Sequence, residues 1–249
     1  MGTDLHVRHR HTTLDGENIA SCHIGDGKGL HVEELREPRP GPGEVAIDVR
    51  ACGVCHTDPH VLDGAIAFPA PSVLGHEIAG TIRMLGPGVA DLDGQRVAGS
   101  FIMPCGRCRH CVRGHEDLCE VFFDFNRLRG VLYDGQARLF RPDGDPVWMY
   151  SMGGLAEVCI VPTTAVFPVP QDVDLSDAAV LGCSVFTAFG ATQNVARLAS
   201  SDTVAVVGIG GVGATSSVSP PLAVPDELSR LTSAKPSWTS PVHLGQRTL

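Results

Sequence analysis

Apolar and polar positions change their rhythm three times along the chain. Residues 1–28 are polar and irregular and read as an N-terminal extension. From Gly29 short alternating runs begin. Leu30–Leu35 reads as a strand, Pro38–Gly43 as a turn cluster, and Glu44–Arg50 sets Val45, Ile47 and Val49 against Glu44, Ala46 and Asp48, the mark of a half-buried strand. Asp58-Pro59 reads as a helix start with Asp58 as the N-cap. Glu77–Leu85 and Gln95–Phe101 read as strands on either side of Gly86-Pro87-Gly88, and Leu155–Val161 as one more. Between them, residues 104–121 form a Cys-rich loop, and the polar stretch Phe122–Met152 suits a solvated loop. Many short strands and turns up to about residue 170 predict a compact β-rich domain.

The period then lengthens. Ser176–Leu198 lacks proline and carries Ala, Val, Leu and Phe at helical spacing, with an interior turn expected near Gly190. Thr203–Val207 is a continuous apolar strand running into Gly208-Ile209-Gly210-Gly211-Val212-Gly213, which is how a parallel α/β unit begins. Ala214–Leu249 holds five prolines and many Ser and Thr and reads as an irregular tail.

Composition narrows the function. A formal net charge of −9 over 249 residues argues against nucleic acid as a partner. No apolar run approaches the roughly 18 residues that span a bilayer, so no membrane association is expected. His6, Arg8, His9, Arg10 and His11 have no apolar stretch behind them, which is unlike a secretory signal and reads as a solvated extension. Nine cysteines, four of them clustered within Cys105–Cys119, point to metal in a reducing, cytoplasmic setting rather than to a disulfide framework.

Cys105, Cys108, Cys111 and Cys119 are spaced so that four thiolates on one loop can close a tetrahedron around zinc. A closed shell leaves no open position, so this site is read as structural; an iron–sulfur cluster uses the same four donors. His110 and His115 lie in the loop without being required. The glycines Gly208, Gly210, Gly211 and Gly213, placed directly after an apolar strand, let the backbone approach a pyrophosphate at a helix N-terminus.

Three further fragments are weak singly: Gly53-Val54-Cys55-His56-Thr57-Asp58 with His60 close behind, Gly75-His76-Glu77, and Gly182-Cys183. In this order, with the four-Cys loop and the glycine motif, the chain resembles the zinc-containing medium-chain alcohol dehydrogenases over residues 29–213. The resemblance implies a mixed α/β fold, a β-rich GroES-like domain followed by the start of an incomplete Rossmann domain. The expected boundaries are 29–175 for the catalytic domain, 176–213 for the start of the coenzyme domain and 214–249 for the aberrant tail. It implies two zinc ions per chain, one structural and one catalytic. The catalytic ion would be held by Cys55, His76 and Cys183, with Glu77 as an adjacent carboxylate able to reach it. Asp58 would orient His76, Thr57 and His60 would relay a proton, and His56 would touch the pyrophosphate of NAD or NADP. Two thiolates and a neutral imidazole neutralise the ion and leave one position for an alcohol or aldehyde oxygen. Cys22, Cys52 and Cys159 are left to packing. Self-association is expected by analogy alone.

The fingerprint also calls for a helix after Gly213 and a strand ending in an acidic residue about 20 positions on. Neither is expected from Ala214–Leu249, where Asp226 and Glu227 fall near that count behind Pro225. A frameshift or truncation after Gly213 would produce such a tail. Weak coenzyme binding follows, and a non-catalytic zinc-binding GroES-like fragment is the alternative to an active dehydrogenase.

Overall fold

A computed structural model describes residues 17–25, 27, 29–199, 202, 204–218 and 228–231. The N-terminal His/Arg run, Asp226, Glu227 and most of the expected tail lie outside the described residues. The chain divides into two units, Met1–Phe186 and Thr187–Leu249.

The first unit is built from the strands β1 (Glu17–His23), β2 (Leu30–Arg36), β3 (Glu44–Gly53), β4 (Ser72–Val73), β5 (Glu77–Leu85), β6 (Arg96–Gly99), β7 (Leu139–Phe140), β8 (Pro146–Met149), β9 (Val158–Pro162) and β10 (Val166–Pro168). They form two five-stranded sheets, ordered β2-β1-β4-β8-β7 and β10-β6-β5-β3-β9. One apolar core, including Val45, Ile47, Ile78, Ile82, Phe122, Met149, Ile160 and Val161, draws on both. This is the β-rich architecture expected.

Three expectations for residues 1–152 are corrected. The irregular extension ends before residue 17, because all seven residues of β1 pair antiparallel with β2. Asn18 and Ala20 have little strand propensity. Their signal lies in long-range pairing: the buried Asn18 amide donates to the Val158 carbonyl at 3.0 Å and accepts from the Val158 N–H at 2.9 Å. The stretch Phe122–Met152 is not a solvated loop. It supplies β7 and β8 and buries Phe122, Asn126, Leu132, Leu139, Val147, Met149, Tyr150 and Met152. Its apolar residues are too widely spaced to show a period, and they meet only once the turns between them close. Asp58 is not an N-cap. Helix α1 (Thr57–Leu62) starts at His56, and Asp58 sits buried in its first turn.

The same stretch carries a buried ion pair. Arg138 donates to both carboxylate oxygens of Glu44, at 2.7 and 2.8 Å, and to Asp134 at 2.8 Å. Arg138→Met leaves Glu44 buried opposite an apolar group, and should cost about 3–5 kcal/mol in urea unfolding. Adding Glu44→Gln should recover a large part of that loss. A single variant as stable as the parent would mean the pair contributes nothing.

The expected long helix Ser176–Leu198 is interrupted earlier than at Gly190. It consists of α2 (Leu175–Ala178), a tight turn Ala179–Gly182, a break at Cys183 (φ −132°, ψ −79°), α3 (Ser184–Phe189) and a wide turn Gly190–Val195. In the second unit β11 (Val204–Val207) leads through the glycine loop into α4 (Gly211–Val218), and β12 (Leu228–Leu231) pairs parallel with β11 along its whole length. Helix and strand thus occupy part of the stretch expected to be irregular. Four residues are too short a run to reveal a strand that gains its ladder only from a neighbour. No single helix among the described residues is long and apolar enough to cross a membrane.

Candidate active site and a second sulfur cluster

One end of the β3-β5-β6 sheet gathers the three scattered fragments. In the antiparallel pair of β3 and β5, Gly53 stands opposite Glu77. Cys55, two residues beyond β3, and His76, one residue before β5, therefore emerge at the same edge. A bulge between Val49 and Ala51 bends β3 on the way, where Gly80 has no room for a side chain: a Cβ there would lie 2.1 Å from the Asp48 carbonyl oxygen. Strand β6 runs antiparallel to β5 and ends at the same edge with Gly99. The tight turn Ala179–Gly182 packs on β5 and β6, and a Cβ on Gly182 would collide with the Gly99 carbonyl oxygen at 1.7 Å. Phe101 N–H donates to Gly182 C=O at 3.1 Å, which pins the break at Cys183 beside the other two donors.

The Cys55, His76 and Cys183 donor atoms lie within 4.8 Å of one another, and the two sulfurs are 3.9 Å apart. His76 is buried, 1% exposed, with Nδ1 3.5 Å from Asp58 Oδ1. Asp58 accepts from the N–H groups of Cys55 at 2.9 Å and Gly75 at 3.3 Å, so one carboxylate braces both loops that carry ligands. The Cys183 thiol and the His76 imidazole donate to the Cys55 sulfur and push its pKa down to about 3. Burial pulls His76 downward, but Asp58 and Cys55 outweigh it and raise the imidazole to about 9. Cys183 moves up because its proton is held by Cys55, with burial adding to the effect. Burial raises Glu77 as well, against hydrogen bonds from the Cys183 thiol and the Ser184 N–H. Two sulfurs and an imidazole that compete for protons at this range form the donor set a zinc ion takes, with one position left over. Glu77 is the adjacent carboxylate, in contact with Cys183.

The relay candidates stand less close together. Thr57 Oγ1 is 3.6 Å from Cys55 Sγ. His60 is half-buried and meets the exposed His56 ring edge-on at 4.5 Å. No hydrogen bond joins Thr57 to His60 among the described residues.

In the Cys-rich loop, Cys105, Cys108, Cys111 and Cys119 place their sulfurs within 4.8 Å of one another. Two short turns, Cys111–Arg113 and Glu116–Leu118, fold the loop back on itself. Backbone N–H groups point at the sulfurs: Cys108 to Cys105 at 3.3 Å, Cys105 to Cys119 at 3.2 Å and Phe122 to Cys119 at 3.4 Å. Such donors favour thiolates; hydrogen bonds, led by the Cys111 backbone, lower Cys108 to about 6. Burial, with the proton shared towards Cys108, raises Cys111 to about 12. Four sulfurs and no fifth donor suit a closed, structural zinc shell. His110 turns to Glu120 at 3.5 Å instead.

In the second unit Gly208 is at φ +91°, and a Cβ on Gly213 would sit 2.0 Å from the Gly208 carbonyl oxygen, while Gly210 faces open space. The glycines thus make the tight strand-to-helix passage that a pyrophosphate loop needs.

Sequence reasoning missed an aromatic wall. Phe101 lies 4.6 Å from His76, Tyr150 6.0 Å from His76, and Phe122 5.9 Å from Phe101. These residues follow strands that end at the same sheet edge or lie in the misread insert, and nothing in their spacing marks them.

A β-rich domain that gathers two sulfurs and an imidazole at one sheet edge, and four more sulfurs in one loop, defines a class, the GroES-like domains with metal-type donor clusters. A model of the alcohol dehydrogenase GroES-like domain matches residues 41–171, more than half of the chain, and the chain belongs to that family. It is 36% identical over 188 residues to an NDMA-dependent alcohol dehydrogenase of Amycolatopsis methanolica, covering 75% of this chain and 50% of the relative. It is 34% identical over 197 residues to an S-(hydroxymethyl)glutathione dehydrogenase of Paracoccus denitrificans, covering 78% and 52%. Among solved structures, an alcohol dehydrogenase zinc-binding domain protein from Burkholderia ambifaria superposes with a TM-score of 0.79 at 30% identity, covering 86% of this chain and 58% of the other. A benzyl alcohol dehydrogenase from Acinetobacter calcoaceticus gives 0.77 at 27% identity over the same shares. The chain spans about half the length of the curated relatives it matches.

Proposed function

We propose that this chain carries the catalytic domain of a zinc-dependent alcohol dehydrogenase, which transfers hydride between an alcohol and NAD or NADP. The convergence of Cys55, His76 and Cys183 at one sheet edge carries the reading. Zinc bound there would lower the pKa of an alcohol or polarise a carbonyl, and the nicotinamide would take or give the hydride.

The protein's own residues do the rest. Cys55, His76 and Cys183 hold the ion, and Asp58 fixes the ring of His76. Thr57 accepts the alcohol proton as its own hydroxyl proton passes towards His60 and solvent; in reduction the order reverses. The aromatic wall of Phe101 and Tyr150 keeps the ligand side of His76 dry. Cys105, Cys108, Cys111 and Cys119 would hold a second zinc that closes their loop. Gly208, Gly210, Gly211 and Gly213 would receive the pyrophosphate at the start of α4. A second reading, a non-catalytic zinc-binding module, is favoured by Val207: it is 70% exposed on β11, where a coenzyme-binding strand is normally covered on both faces.

Zinc-loaded protein should reduce NAD or NADP in the presence of a primary or secondary alcohol, read from nicotinamide absorbance. Zinc bound at both sites with no turnover on any alcohol tried would reject the enzyme and leave the binding module.

A further inference from the structure

His56 and His60, expected to serve separately, stand together in the fold. His56 has helical backbone angles (φ −59°, ψ −21°) immediately before α1, so His60 lies one turn further along the same face. Their rings meet edge to face, 4.5 Å between centroids. The backbone beneath them is fixed: Asp63 N–H donates to the Pro59 carbonyl at 2.9 Å and Ile66 N–H to the His60 carbonyl at 2.8 Å. Asp58, between the two histidines, is buried and turned to the N–H groups of Cys55 and Gly75. His56 is exposed and His60 half-buried, so the pair faces solvent. Neither imidazole makes a hydrogen bond among the described residues. Asp63, on the next turn, has Oδ1 occupied by the Ala65 N–H at 2.9 Å. The two rings are therefore committed only to each other. Two imidazoles at i and i+4 chelate late first-row divalent ions, because imidazole suits Zn2+, Ni2+ and Cu2+ and the first bond makes the second intramolecular. Mg2+ and Ca2+ demand oxygen donors and are not taken.

We propose that His56 and His60 form a divalent ion site of their own, apart from the two sulfur-bearing clusters, and that Zn2+, Ni2+ or Cu2+ bound there is inhibitory. A His60 nitrogen bonded to the ion no longer receives the proton passed on by Thr57, so an occupied pair stalls turnover. The binding stands on the geometry of α1; the inhibition rests on the dehydrogenase reading above, in which His60 is the exit of the relay. An edge-to-face contact that only steadies the start of α1 makes a different prediction, since phenylalanine would serve it equally well.

Nickel is the probe, added to protein already loaded with zinc and freed of excess metal. His6, His9 and His11 bring donors of their own, common to every variant. The parent should therefore bind one nickel ion more than His56→Phe, which keeps a ring at that position and removes a donor, and one more than His60→Phe. Nickel should slow the parent at concentrations about tenfold or more below those needed for His56→Phe, each rate taken relative to the same protein without nickel. Magnesium should do neither, and the zinc content should not change. Equal nickel binding by the parent and both variants would overturn the site. Nickel found in place of zinc would assign the effect to the sulfur clusters and overturn it too. Nickel held by the pair without slowing the parent would overturn the inhibitory role. If the parent turned over no alcohol, the dehydrogenase reading would fail, while the nickel count would still decide the site.

Discussion

Cys183→Ser is expected to reduce turnover by at least about a thousandfold, about 4 kcal/mol of transition-state stabilisation, and to lower the zinc content by one ion per chain. The reason is geometric as well as chemical. Cys183 stands at the break between Gly182 and Ser184, held by Gly182 against Gly99 and by the Phe101 N–H. A serine there keeps that backbone but offers a harder, poorly ionised oxygen where the ion prefers sulfur. Because the scaffold survives, the melting temperature of the metal-free variant should match that of the metal-free parent. Metal analysis, turnover and thermal unfolding, done together, check all three. Unchanged zinc content in Cys183→Ser would remove this residue from the ligand set and with it the proposed chemistry.

Cys119→Ser should do the opposite: a large loss of stability with a secondary loss of activity. Cys119 is fully buried, its sulfur accepts two backbone N–H groups, and it joins the loop to the core residue Phe122. Without a closed shell the loop from Cys105 to Cys119 keeps three other sulfurs, while its own Val112 and Leu118 are exposed and add little packing. The expected cost in urea unfolding is on the order of 5 kcal/mol. That is below the roughly 10–16 kcal/mol of zinc-finger peptides, because the sheets retain their own core. Addition of a strong chelator to the parent should reproduce the loss, and excess zinc should reverse it. Parent-like stability in Cys119→Ser would show that the four sulfurs do not act as a structural unit.

The Cys105–Cys119 loop was legible because its four donors are close in sequence, so spacing is geometry there. Strand β3 was legible because Val45, Ile47 and Val49 alternate along it, and β5 and β9 as short, largely apolar runs between turns. Glycine after an apolar strand announced β11 and the turn that follows it, while most of α4 falls in the stretch read as irregular. Cys55, His76 and Cys183 were legible as one donor set only through the resemblance, since 128 residues separate Cys55 from Cys183 and no local pattern links them. β1 escaped because Asn18 and Ala20 gain strand character from β2 and Val158. The insert Phe122–Met152 escaped because Tyr150, Met149 and Phe122 are apolar at no fixed interval.

The chain's order of residues alone determined which donors exist, how many sulfurs each loop carries, and where local periodicity builds strand or turn; these are consequences of short-range sterics and side-chain chemistry. Tertiary structure alone decided that the ends of β3 and β6 and the start of β5 share one edge, and that Asp58 braces two loops instead of capping a helix. Such relations arise from strand register and side-chain packing between segments remote in the chain, and no local pattern encodes a distance across a sheet.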